Sequence, residues 1–440
     1  MFFLSFFATN RDLMSPWVIS CCMFILSCLF IVPNVGNWNV DLSFKTVITI
    51  CLGLLSFGFG EITVRRLYKT KLAYHDYKIS RKSNEKIPAI PINIHNAILI
   101  LSIIFMSIVT YFYYKQVLNI AYAAGYSPSS SLPMLRFARI ATTSLDEFAT
   151  NKILGQFVII SYSYTYLMLF VLLYNLIYTK FQKKYLLYII PIIIYLIQII
   201  LTGGRTQFIY LVSSAFLISV ILYRFKNGEK NDKNIKYIKI GLLTFVLMLL
   251  VFYLLGSYTG KTAKLNLFDT LSIYTGSSVV ALDHFLKNPG NSSDFFGGST
   301  LFGFYDILRI FDSDIPKLLK QAEFVGLGNY ETNVYTSYMR YIKDFSFLGF
   351  VIIEIFLGLF YSALYLNLKI ANKPSVNLII YVIIFQAIIE CSIEERFFMN
   401  VLSLGYFIRI FYLILLYIWL VKPKLQNNNI HQKSTVDSSL

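Results

Sequence analysis

Charge is scarce in this chain. Asp, Glu, Lys and Arg make up 14% of its 440 residues, 56% are hydrophobic and the mean hydropathy is +0.61, which excludes a soluble globule. Cysteine is scarce too, and all five (Cys21, Cys22, Cys28, Cys51 and Cys391) fall in or at the ends of apolar runs. That placement leaves no disulfide framework and no metal-ligand spacing. Only four histidines occur, and there is no nucleotide-binding glycine loop, paired-cysteine site or nucleophile elbow. Internal repeats are lacking, as are low-complexity stretches outside the polar tail 425–440, which is expected to be disordered. The first apolar run offers no small-residue cleavage site at Val32-Pro33-Asn34 and follows a lead containing Arg11 and Asp12, so it is expected to be retained.

What the chain has in quantity is membrane-length apolar sequence. Runs at 16–33, 44–60, 96–114, 153–178, 185–201, 206–223, 238–256, 346–368, 375–391 and 400–421 predict about ten transmembrane helices. The expected fold is all-α, a single polytopic membrane domain over 1–440 with one large, partly helical loop.

The net charge of +16 is a topology signal rather than a nucleic-acid signal. The loop 61–95 carries Arg65, Arg66, Lys69, Lys71, Lys78, Arg81, Lys82 and Lys86. Lys180, Lys183 and Lys184, then Arg224, Lys226, Lys230, Lys233 and Lys236, then Lys369, Lys373, Lys422 and Lys424 follow on the same side if the spans alternate. By the positive-inside rule that side is cytoplasmic, and so are both termini. The outer segments are then 34–43, 115–152, the turn 202–205, the long stretch 257–345 and 392–399. The long stretch is expected to be functional because loops of that size rarely serve only as connections. Its residues Phe268, Leu271, Tyr274, Leu282, Phe285 and Leu286 recur at helical intervals, and its many aromatics suit a position on the membrane.

Between two apolar runs stands the turn Thr202-Gly203-Gly204-Arg205. Two glycines allow a ligand to approach the backbone closely, and Arg205 opens a helix whose free N–H groups and dipole favour an anion. Two readings fit this pattern: a phosphate held at the turn, or a plain helical hairpin whose arginine meets lipid head groups.

Ionisable residues inside spans call for an explanation. Glu354 lies ~14 Å into its span at ~1.5 Å per residue, and Arg409 lies equally deep in the last span, so the two are expected to pair. A structural ion pair is the plainer reading of them. Gln198, Arg205, Gln207, Gln386, Glu390, Glu394, Glu395 and Arg396 share one depth and suggest a wet cavity opening outward. Interfacial anchoring alone would explain Glu394, Glu395 and Arg396. Asp283-His284 is the one outer place with a carboxylate and an imidazole together, which suits a general base but equally an exposed helix face. Arg340 is a second candidate anion ligand, and Asp344 is expected to cap the span that follows it.

Three segments resemble the O-antigen polymerase family, the integral-membrane oligosaccharide repeat-unit polymerases. The first is Leu201-Thr202-Gly203-Gly204-Arg205-Thr206. The second runs from Tyr274-Thr275-Gly276 through Ala281-Leu282-Asp283, followed by Phe302-Gly303-Phe304-Tyr305. The third is Glu331-Thr332-Asn333-Val334-Tyr335-Thr336, followed by Asp344-Phe345 and Leu348-Gly349. The likeness covers residues 150–420 in order. It implies an O-antigen ligase-like glycosyltransferase architecture in the bacterial cytoplasmic membrane, with the site on the outer side and neither cofactor nor metal. The implied substrates are an undecaprenyl-pyrophosphate-linked donor and acceptor, and a separate chain-length regulator is an implied partner. Arg205, with Gly203, Gly204 and Thr206, would hold the pyrophosphate, assisted by Arg340; Arg136, Arg139 and Arg396 are further candidates. His284, Asp283 or Glu331 would take the acceptor's proton. The alternatives are an O-antigen ligase, which shares this chemistry, and a flippase for the same lipids. A flippase should show repeats and charges along a central path, which are not found here.

Overall fold

The computed structural model describes residues 1–71, 73, 90–130, 133–144, 151–227, 267–289, 295–312, 314, 315, 318 and 322–425. These residues are mostly helical. In chain order they form α1 (Phe2–Ala8), α2 (Pro16–Ile31), α3 (Phe44–Leu67), α4 (Asn96–Ala123), α5 (Met134–Ser144), α6 (Lys152–Tyr178), α7 (Ile189–Leu201), α8 (Thr206–Asn227), α9 (Leu267–Lys287) and α10 (Phe302–Phe311). A two-stranded hairpin follows, β1 (Val325–Leu327) and β2 (Tyr330–Thr332), then α11 (Ser337–Ala371), α12 (Val376–Ile389) and α13 (Leu404–Leu420).

Local chemistry starts the long helices. Ser15 caps α2 by accepting from the Val18 N–H, with Pro16 at the first helical position. The Asn151 carboxamide oxygen accepts from the Ile153 N–H at 2.9 Å to open α6. Asn372 ends α11 in the left-handed region at φ 44°.

Seven helices among the described residues are long and apolar enough to cross a membrane: Pro16–Asn34, Phe44–Leu67, Asn96–Ala123, Lys152–Tyr178, Lys183–Leu201, Thr206–Asn227 and Ser337–Ala371. They correspond to seven of the expected spans. The spans expected at 375–391 and 400–421 are shorter apolar helices here, of 14 and 17 residues. The span expected at 238–256 lies outside the described residues.

The chain divides into two compact units. The first holds α1–α3, α9, α10, the hairpin, α11 and residues 384–407; the second holds α4–α8, residues 373–383 and the described residues from 408.

In the first unit α3 crosses α11 where both carry glycine. A Cβ on Gly60 would press on the Ile355 carbonyl, and one on Gly358 would press on the Phe57 carbonyl. Small residues let the two backbones touch, the usual solution for helices in a lipid solvent. A Cβ on Gly276 of α9 would likewise meet the backbone of Phe30 and Ile31 in α2. The Ser278 hydroxyl of α9 donates to the Ser392 carbonyl at 2.6 Å.

Charge collects at the two ends of α11. At its C-terminal end Arg65 reaches Glu61 at 2.7 Å and Asp12 at 3.6 Å, and Lys369 lies 4.0 Å from Asp12. Glu61, fully buried, also accepts the Trp17 N–H at 2.9 Å and the Ser15 hydroxyl at 2.7 Å, so α3 supplies a second cap for α2.

The start of α11 departs from expectation. The helix begins at Ser337 rather than near 346 and is broken at Ser346, whose φ of 61° and ψ of −176° are not helical. Asp344 therefore lies inside the helix, and its carboxylate accepts the Ser299 N–H at 2.9 and 3.2 Å.

In the second unit the middle of α6, Ser161–Leu172, is buried on all sides. The amphipathic α5 lays Leu135, Ala138 and Ala141 against Val117, Ile120 and Ala121 of α4 and against Ile200 and Leu201 at the end of α7.

Candidate functional site

The turn after α7 is built by its own residues. Gly203 takes φ +61°, a conformation that glycine adopts at no steric cost. The Thr202 hydroxyl donates to the Ile199 carbonyl at 2.7 Å and accepts the Gly204 N–H at 3.0 Å. The Arg205 carbonyl accepts the Phe208 N–H at 3.1 Å, which places Arg205 at the N-cap of α8 and Thr206 at its first position. Arg205 is only 5% exposed, and its guanidinium nitrogens are shielded from solvent.

A second arginine meets this turn. The packing of α5 against α7 carries Arg139 over the two glycines. A Cβ on Gly204 would lie 2.9 Å from the Arg139 Nη1, and one on Gly203 would lie 3.4 Å from its Cβ. Gly204 therefore lies beneath the Arg139 guanidinium, and Gly203 beneath the aliphatic stem of the same side chain. Arg136, half-buried, precedes Arg139 by three residues and shares its helix face. The turn thus joins three features that favour an anion: a glycine backbone, a helix N-terminus and two guanidiniums. Nearby in sequence, Gln198 is 1% exposed, and its amide donates to the Thr110 hydroxyl at 2.9 Å.

Arg340 and Arg396 belong to the first unit. Arg340, buried, donates to the Ser299 carbonyl at 3.0 Å, lies over the Phe302 ring at 5.3 Å and stands 4.0 Å from Glu394. Arg396 reaches Glu390 at 2.7 Å and also pairs with Glu394. The two arginines therefore share Glu394. Neighbouring Glu395, fully buried, accepts the Phe398 N–H at 2.8 Å, the Met399 N–H at 2.9 Å and the Tyr341 hydroxyl at 3.1 Å. It caps the short π-helix Phe397–Val401. Burial pushes the Glu395 carboxyl above the usual range, with these donors pulling against it.

Asp283 is 5% exposed and accepts the Ser43 N–H at 2.8 Å and the Ser43 and Thr46 hydroxyls at 2.6 Å each, with Lys287 at 2.8 Å. Burial acts to raise this carboxyl, but the hydrogen bonds from Lys287, Ser43 and Thr46 outweigh it and hold the pKa below the ordinary value. Asp283 thus caps α3 from α9. His284, the next residue, points to the exposed face of α9. Glu331 is exposed on β2, while adjacent Thr332 is buried and bonds Ser277 of α9 at 2.8 Å.

Glu354 is buried in the first unit. Arg409 belongs to the second, where its guanidinium lies 4.7 Å over the Tyr162 ring. Its carbonyl accepts the Ser163 hydroxyl at 2.9 Å.

Two features were not read from the sequence. The glycine-facing position of Arg139 depends on α5 packing; its one sequence signal was the spacing of Leu135, Ala138 and Ala141. Tyr341 as a partner of Glu395 had no sequence signal.

Compared with protein-family profiles, with curated proteins and with solved structures, this chain matches none.

Proposed function

We propose that this chain polymerises undecaprenyl-pyrophosphate-linked oligosaccharide repeat units at the outer face of a bacterial cytoplasmic membrane. In this reading the chain crosses the membrane ten times with both termini in the cytoplasm. The growing glycan leaves its pyrophosphate and passes to a sugar hydroxyl of an incoming lipid-linked unit. Negative charge develops on the leaving pyrophosphate, so the chemistry needs fixed donors aimed at that charge.

The observation that carries the reading is the Gly203-Gly204 turn, with Arg205 at a helix N-terminus and Arg139 laid over it. Arg205 and Arg139 carry the anion role in this reading because they stand at the glycine turn and the helix N-terminus, whereas Arg340 and Arg396 stand against Glu394. The acceptor hydroxyl also needs a proton acceptor. Asp283 is the least suited because its oxygens are engaged and its basicity is lowered. His284 and Glu331, both exposed, remain the better candidates.

The test is complementation of a polymerase-deficient strain with wild type, Arg205→Ala and Arg139→Ala, with membrane insertion checked for each. Wild type is expected to restore a glycan ladder, and Arg205→Ala to leave single repeat units. Failure of wild type to give a ladder in a matched host would move the ligase or flippase reading ahead.

A further inference from the structure

The most unusual polar feature outside the arginine turn is a small, partly open cavity in the first unit. It measures about 20 Å³, and a water needs roughly 10–15 Å³, so it has room for one water-sized occupant. Two carboxylates, Glu354 and Glu395, line it, together with the Tyr338, Tyr341 and Tyr361 rings. Glu395 has three donors, and Arg340 attracts it as well. Glu354 differs. It is 5% exposed and faces the cavity, and among the described residues no side chain or backbone group bonds to it or pairs with it. Tyr338, 2% exposed, also lines the cavity, and its hydroxyl has no hydrogen-bond partner among the described residues. Arg396 lines the cavity too, but its guanidinium is directed to Glu390 and Glu394. The remaining titratable neighbour is Cys391, while α2 and α3 contribute only Ser20 and Phe57.

A buried carboxylate beside a second one, with no cation of its own, is strongly unfavourable. Bound water alone would not remove the charge. We propose that this cavity takes up one small monovalent cation, a proton or a sodium ion, at Glu354. The Tyr338 hydroxyl adds a polar group to the site, whereas those of Tyr341 and Tyr361 donate to Glu395 and to the Ile384 carbonyl. The site shares no lining residue with the arginine turn, and the proposal does not depend on the polymerase reading.

The experiment uses full-length protein in lipid nanodiscs. Thermal unfolding is followed with sodium chloride exchanged for choline chloride at constant ionic strength, and again across neutral to alkaline pH, for wild type and Glu354→Gln. If sodium is the occupant, the wild-type midpoint rises saturably by ~3 °C or more, of the order expected for 1 kcal/mol in a domain of this size, and Glu354→Gln does not respond. If a proton is the occupant, sodium has no effect. The wild-type midpoint then falls as pH rises, because the folded state binds the extra proton, and Glu354→Gln is flatter. Infrared spectra of wild type alone decide the matter should the variant fail to insert, since a proton at the site gives a protonated carboxyl band at neutral pH. A wild type with neither sodium response nor such a band, or a variant matching wild type in both titrations, would overturn the proposal.

Discussion

Asp283 accepts four hydrogen bonds, and the consequence can be measured as pH dependence. Its folded pKa is held below the unfolded value of about 3.9, so the stability it supplies is complete above that value and is lost as pH falls through the folded pKa. Asp283→Asn is expected to unfold more easily at neutral pH, with its unfolding curve converging on wild type in acid; parallel curves at every pH would assign the shift elsewhere. Arg205 makes a different prediction. Removing one preorganised donor from a developing anion costs on the order of 10²–10³-fold in rate. Arg205→Ala should lose turnover to that extent in protein that still inserts and folds, and Arg205→Lys, which keeps charge but not the planar fork, should fall between. Ser346 holds a backbone conformation suited to glycine, at a strain of about 1–3 kcal/mol against the roughly 0.5–1 kcal/mol entropic cost of glycine. Ser346→Gly should therefore raise stability by about 1 kcal/mol in thermal unfolding, and a lower midpoint would mean the break in α11 is not strained.

At the scale of elements, the α3–α11 crossing depends on two missing side chains. Gly60→Ala or Gly358→Ala would drive a methyl into a facing carbonyl and cost about 1–3 kcal/mol. Gly155, with nothing near its Cα, is the control, and Ala there should be neutral or stabilising by up to about 1 kcal/mol. Much at this scale was readable in advance. Apolar runs of sufficient length locate α2, α6, α7 and α8 within a few residues, because a helix in lipid must satisfy its backbone internally whatever surrounds it. They locate α4 at its start, but α4 runs nine residues past the expected end at 114, to Ala123. The recurrence of Leu271, Leu282, Phe285 and Leu286 likewise marks α9. The break at Ser346 was not readable, since no glycine or proline announces it. Nor were the distant partners of Asp283, Glu61 and Glu395, namely Ser43 and Thr46, Ser15 and Trp17, and Tyr341, which only packing brings to them. In the candidate site, the Gly-Gly-Arg turn was legible from composition alone, whereas the place of Arg139 on it was not.

For the whole molecule, the expected topology puts the basic loops on the cytoplasmic side and residues 257–345 outside. In a cysteine-free background, a cysteine at Asn329 in the hairpin turn should react with an impermeant thiol reagent applied to intact spheroplasts, and one at Lys184 should react only after lysis. The reverse pattern would invert the topology and move the arginine turn to the side away from lipid-linked donors. The most direct measurement of the central claim uses purified full-length protein reconstituted in vesicles with undecaprenyl-pyrophosphate-linked repeat units and no other enzyme. The account predicts that wild type converts single units into a ladder of longer glycans, with pyrophosphate-linked lipid released, and that Arg205→Ala leaves the units unjoined. A ladder of equal length from Arg205→Ala would contradict it and reduce the turn to a simple hairpin.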